Sequence, residues 1–300
     1  MVNSVYFAST YNVFQSNISI NLLREVESQI DELSHVTSFN IKMLLAMPNL
    51  KCIIASSLGY VNDMEPKWDL LIDWLQAYCH IATPPLIISN TCCSSIDALE
   101  IAQCYIQSDK YEYILVISFD FAHEFIINGL KNYNLLAKDE MSNGLRLTSS
   151  VVCTLLSKEE FNCNSRAEII SCNVLNDARS ITSIDSSGKA LKLAIKKSIA
   201  EAGININNLH SVLAAYNGIK ENDAMINMVL STMLVKDMQI QIIKSKTNIG
   251  HSLGSSGILE ISIYIDSIIN SYINKQYKTI YLLYISAGFS GVVSAMVFKL

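Results

Sequence analysis

No stretch of this 300-residue chain approaches the roughly 18 uninterrupted apolar residues of a membrane-crossing helix, so no span is expected. It also has no run of five or more like charges and no proline-rich or glycine–serine tract, which argues against a disordered tail. The opening MVNSVYFAST lacks the basic-then-apolar layout of a signal peptide, and a cytoplasmic protein is expected. A formal charge of −5 and a pI near 5.6 offer no general attraction to nucleic acid or to an anionic membrane. CxxC pairs are missing too. The eight cysteines (52, 79, 92, 93, 104, 153, 163 and 172) sit mostly in apolar segments and read as free buried thiols. Adjacent Cys92 and Cys93 have no second cluster at ligand spacing, so no metal is expected.

What is present is a large apolar fraction, half of all residues, enough for one large domain or two fused halves. Short runs rich in Val, Ile and Tyr predict strands at 4–9, 51–57, 85–90, 111–119 and 150–156. Helical patterns lie between them, over much of 18–47, over 66–80 with Pro66 in the first turn, and over 94–106. The same order then returns. Strands are predicted at 167–175, 210–216, 239–244, 278–286 and 291–300, with helices at 186–203 and 221–235 and another from near His251. Alternating strands and helices imply sheets covered by helices. Two such halves in tandem predict an internally duplicated α/β protein of five layers, α/β/α/β/α. The expected division is 1–163 and 164–300, in the polar stretch 162–166.

The duplication places Cys93 and His251 at equivalent strand-to-helix turns, which a pseudo-two-fold axis would bring together. A thiol at a helix start has its thiolate stabilised by the helix dipole, which is one way to make a nucleophile. Ser186-Ser187-Gly188-Lys189 lacks the full phosphate-loop pattern and reads as helix capping. No cofactor is expected.

The segment NTCCSSIDALEIA resembles the nucleophile motif T-A-C-S-S of the β-ketoacyl synthases, in the thiolase superfamily. KSKTNIGHSLGSSGILEI is similar to that family's K-x-x-x-G-H-x-x-G-x-x-G, through Lys246, Gly250, His251, Gly254 and Gly257. SAGFSGVVSAMVF resembles its C-terminal G-F-G-G loop, and AAYNGIKEND a reduced H-G-T-G-T-x-x-x-D. The resemblance implies a thiolase-like fold. It assigns Cys93 as nucleophile, with Cys92 at a small-residue position, His251 as donor to a malonyl thioester oxygen and Lys246 as its electrostatic support. Backbone N–H groups of Cys93 and Phe289 would form the oxyanion hole, with Phe289 gating the acyl pocket.

The pattern also breaks. Asn217 occupies the place of the family's other histidine, with Tyr216 the alternative in another register. Asn can donate a hydrogen bond but cannot carry a proton as imidazole does. The glutamate after the motif aspartate is Ile226, the G-E-G-A glutamate is gone near Thr148–Ser150, and Ser290 stands for a glycine. These departures imply a ketosynthase-family subunit acting on acyl-carrier-protein substrates and pairing with a full-length ketosynthase, in the manner of a chain length factor. The alternatives are a compact condensing enzyme with a Cys-Asn-His site, as a homodimer, or a non-condensing thiolase-fold acyltransferase or hydrolase.

Overall fold

A computed structural model describes residues 4–14, 21–62, 65–139, 142–161, 167–180, 183–234, 240–244, 246–272 and 279–300. The first half contributes β1 (Tyr6–Phe14), α1 (Leu22–Thr37), β2 (Leu50–Ala55), α2 (Asp69–Tyr78), β3 (Leu86–Ile88), α3 (Ser94–Gln107), β4 (Tyr113–Asp120) and β5 (Ser149–Ser157). The second contributes β6 (Ala167–Asn176), α4 (Lys189–Glu201), β7 (Leu209–Ala214), α5 (Lys220–Met233), β8 (Gln241–Ile243), α6 (Ser256–Tyr272), β9 (Tyr281–Ala287) and β10 (Val292–Lys299).

The strand order makes the duplication explicit. One half runs β3-β2-β4-β5-β1 and the other β8-β7-β9-β10-β6. In each, the two pairings nearest the β3 or β8 edge are parallel and the other two antiparallel. The halves join through a short antiparallel contact of β1 with β6, Tyr6 opposite Glu168 and Phe7 opposite Ala167. Strands β4 and β5 are buried on both faces, which explains why they read as unbroken apolar runs.

Three apolar cores account for five layers. One packs α1 and α2 on the first half-sheet, through Val26, Ile30, Leu33, Leu71 and Leu75. A second packs α4 and α5 on the other half-sheet, through Leu191, Ile195, Ile226 and Val229. The central core holds α3 and α6 between strands of both halves, with Ile96, Leu99, Ile258 and Ile265 fully buried. The layers are those expected from the alternation, and the fold is thiolase-like, as the resemblance implied.

Local differences from the expectations have local causes. The helical pattern over 18–47 is two helices, because Ser38 turns left-handed at φ 61° and ends α1 before a short helix at Ile41–Leu45. Pro66 opens no helix; it pairs with Val61 in a small hairpin, and α2 starts at Asp69. His251 lies five residues before α6, between the short helix Lys246–Ile249 and a 3₁₀ turn at Leu253–Ser255. The expected division at 163/164 falls outside the described residues.

Candidate active site

Two matching turns build the site. A 3₁₀ turn, Thr91–Cys93, precedes α3, as Leu253–Ser255 precedes α6, and Thr91 and Leu253 share a left-handed backbone, φ 49° and 50°. The pseudo-two-fold sets these turns against each other. Cys92, Cys93, Asn217, Lys246, His251 and Phe289 thus all line one cavity of about 10 Å³. The expected set is therefore brought together in space.

The two cysteines are placed differently. His251 Nε2 lies 3.1 Å from Cys92 Sγ. Cys93 is 1% exposed, with Sγ 3.9 Å from the Val292 carbonyl and tight against Gly288. A Cβ added at Gly288 would fall 2.5 Å from the Cys93 sulfur, so the thiol occupies the space that glycine leaves. The Cys93 N–H donates to the Asn90 carbonyl at 3.1 Å, closing the 3₁₀ turn. The backbone N–H groups of Cys92 and Phe289 favour the thiolate of Cys92. Periodicity alone could not make this distinction. The α-helical phase of α3 does not extend back through a 3₁₀ turn with a left-handed first residue.

Burial dominates the titration of both thiols. Desolvation raises Cys92 to about 11; Lys246 and the two N–H groups act against the rise and Asp120 adds to it. Cys93 is raised further by the same cause. The lowering expected from the helix start is thus outweighed by desolvation at both positions.

His251 is 2% exposed and pinned from several sides. Its N–H donates to the Arg146 carbonyl at 2.6 Å, its carbonyl accepts from Thr148 N–H at 3.1 Å, and Nδ1 lies 2.7 Å from Ser256 Oγ. Burial first, and Lys246 second, hold its pKa well below the usual imidazole value. The ring is therefore neutral near pH 7. A neutral imidazole donates from one nitrogen and accepts at the other, so the ring links the Ser256 hydroxyl at Nδ1 to the Cys92 thiol at Nε2. Lys246 is held beneath the site by a buried ion pair with Glu260, 3.2 Å away.

Asn217 follows β7 in a loop wrapped around Asp223. The Asn217 and Gly218 N–H groups donate to that carboxylate at 3.1 and 3.2 Å, and Asn217 Oδ1 accepts from Ile219 N–H at 2.9 Å. Tyr216 lines only the wider outer cleft of about 420 Å³, its hydroxyl donating to Asn227 at 2.7 Å. Asn217, Lys246 and His251 line both spaces, so the small cavity and the larger one adjoin at these residues.

The sequence reading missed Cys92, Glu260, Ser256 and Tyr284 as parts of this site. The 246/260 spacing crosses a turn and a change of helix, and Tyr284 is one apolar strand residue among several. Neither carries a local signal.

Residues 166–279 match the β-ketoacyl synthase, C-terminal domain family. The match includes Asn217, Lys246 and His251 but neither Cys92 nor Phe289. No curated protein matches the sequence. Solved structures carry the likeness over most of the chain. One is a chain of AntDE:AntF, a type II PKS acyl-carrier protein in complex with its ketosynthase bound to the hexaketide. It aligns at TM-score 0.74 and 16% identity, over 93% of this chain and 83% of that one. Another is a chain of the ketosynthase ApeO with its chain length factor ApeC from Xenorhabdus doucetiae, at 0.72 and 16%, over 93% and 79%. A third is the module 6 ketosynthase of the bacillaene synthase from Bacillus subtilis 168, at 0.74 and 14%, over 93% of this chain but 58% of that one. At such identities the likeness shows the ketosynthase fold. No described helix is long and apolar enough to cross a membrane.

Proposed function

We propose that this chain is a β-ketoacyl synthase family subunit of fatty-acid or polyketide elongation. It meets acyl carrier protein and pairs with a full-length ketosynthase in the manner of a chain length factor. One observation carries this reading. Beside the thiol and the one buried imidazole stands Asn217, which cannot shuttle a proton and whose Oδ1 accepts from Ile219 N–H. Co-expression with a full-length ketosynthase is expected to yield a heterodimer whose condensation depends on the partner's cysteine. A stable homodimer that condenses malonyl units unaided would overturn this assignment.

The Cys92–His251 contact favours a second reading, a compact condensing enzyme. Decarboxylative condensation needs a thiol that accepts an acyl group, and N–H groups for the oxyanion. Here Cys92 has His251 as proton acceptor, and the N–H groups of Cys92 and Phe289 serve the anion. In this version Cys92 takes the place first assigned to Cys93, and Lys246 supports the charge. Intact-mass measurement after incubation with an acyl carrier protein thioester separates the versions. An adduct abolished by Cys92→Ala and kept by Cys93→Ala, with turnover, supports the enzyme; its absence removes it.

A further inference from the structure

Asp120 has no part in the chemistry above, yet it is 1% exposed and fully engaged at the end of β4. Its Oδ1 accepts from the hydroxyls of Ser56 and Ser57 at 2.8 and 2.7 Å. Its Oδ2 accepts from the N–H groups of Ser57 and Gly254 at 2.9 and 2.7 Å. Ser56 and Ser57 follow β2 in the first half, and Gly254 lies in the turn between His251 and α6 in the second. One carboxylate therefore bridges the halves, meeting the second at Gly254, three residues along the chain from the histidine.

Gly254 makes the bridge possible. A Cβ there would lie 2.7 Å from Asp120 Oδ2 and from Ser57 N, and 3.0 Å from the carbonyl of Thr91, the residue before Cys92. Carboxylate, glycine and carbonyl form one packed unit that fixes the His251 turn against the Cys92 turn.

We propose that Asp120 is a positioning residue for the Cys92–His251 pair, bracing the two turns together and restraining thiolate formation through its negative charge. The proposal rests on these two residues being the working pair of the site. The charged groups acting on Cys92 are Asp120 from the first half, which opposes the thiolate, and Lys246 from the second, which favours it. His251 is neutral. Burial raises Asp120 to about 6 despite the donors from Ser56, Ser57 and Gly254, so near pH 7 it is largely ionised.

The test is the rate of iodoacetamide modification of Cys92 in the full chain, followed by peptide mass spectrometry from pH 6 to 10. Asp120→Asn keeps an acceptor for the backbone donors but removes the charge. The thiol pKa is expected to fall by about half to one unit. Lower intrinsic nucleophilicity cancels part of the gain, leaving alkylation about two- to threefold faster at pH 8. A profile superimposable on wild type would overturn the proposal, which requires the bridging carboxylate to bear on the Cys92 thiol.

Should Asp120→Asn fail to fold, Ser57→Ala serves instead. Losing one hydroxyl donor shifts protonation of Asp120 to higher pH. Alkylation should then quicken at pH 7 and stay unchanged at pH 9; no change at pH 7 would overturn the proposal. Alkylation needs no carrier protein. An Asp120→Asn effect without acyl transfer would count against the compact condensing enzyme alone, and acyl transfer with a flat Asp120→Asn profile against this proposal alone.

Discussion

Cys92 and Cys93 differ by one position in the chain and by a whole environment in the fold. With Cys92 raised to about 11, roughly one thiol in ten thousand is ionised at pH 7, and the fraction grows tenfold per pH unit. Alkylation of Cys92 should therefore climb steadily from pH 7 to 10 without an acid plateau, because His251 does not charge in that range. Cys93, enclosed against Gly288, should react at least about tenfold more slowly in peptide-resolved alkylation of the native protein. Gly288→Ala pushes a methyl into that sulfur. It should cost about 1–3 kcal/mol in urea unfolding, and Cys93→Ala in the same chain should recover most of the loss.

At the scale of elements, the alternating pattern made the strands and most helices legible, because strands buried on both faces advertise themselves as continuous apolar runs. Boundaries set by single backbone angles were less legible. Ser38 splits a helical pattern at φ 61°, and Ser38→Gly should stabilise the chain by about 0.5–1 kcal/mol in thermal unfolding, since glycine adopts that angle without strain. The motif residues of the site could be found because they lie in contiguous segments. Glu260 could not be matched to Lys246, because their meeting depends on how the turn between their helices is folded. Breaking this buried pair on one side, as in Glu260→Leu, should cost about 3–5 kcal/mol. The double change Lys246→Met with Glu260→Leu should fall much closer to wild type in unfolding experiments, even though it removes the charge of Lys246 from the cavity.

For the whole molecule, the central layer of α3 and α6 belongs to both halves. Neither half can cover Ile96, Leu99, Ile258 and Ile265 alone. Residues 4–161 expressed by themselves should therefore bind a hydrophobic dye and lack a cooperative melting transition. Asp120 ties the same halves and gives stability a pH dependence of known sign. Its folded pKa, raised to about 6, lies above the value of an unfolded aspartate, so its contribution is fullest below about pH 4 and is lost as pH rises to about 6. Wild type should lose about 2–3 kcal/mol relative to Asp120→Asn over that interval in urea titrations.

The paired left-handed steps at Thr91 and Leu253 make Gly254 the counterpart of Cys92, each the second residue of its turn. A duplicated architecture thus offered the same socket twice, and the two copies have specialised. One carries a thiol beside His251; the other carries no side chain, leaving the space to a strut from the opposite half. Symmetry at the level of backbone has become asymmetry at the level of labour, and restoring a side chain at 254 would disturb the sulfur's surroundings without touching it.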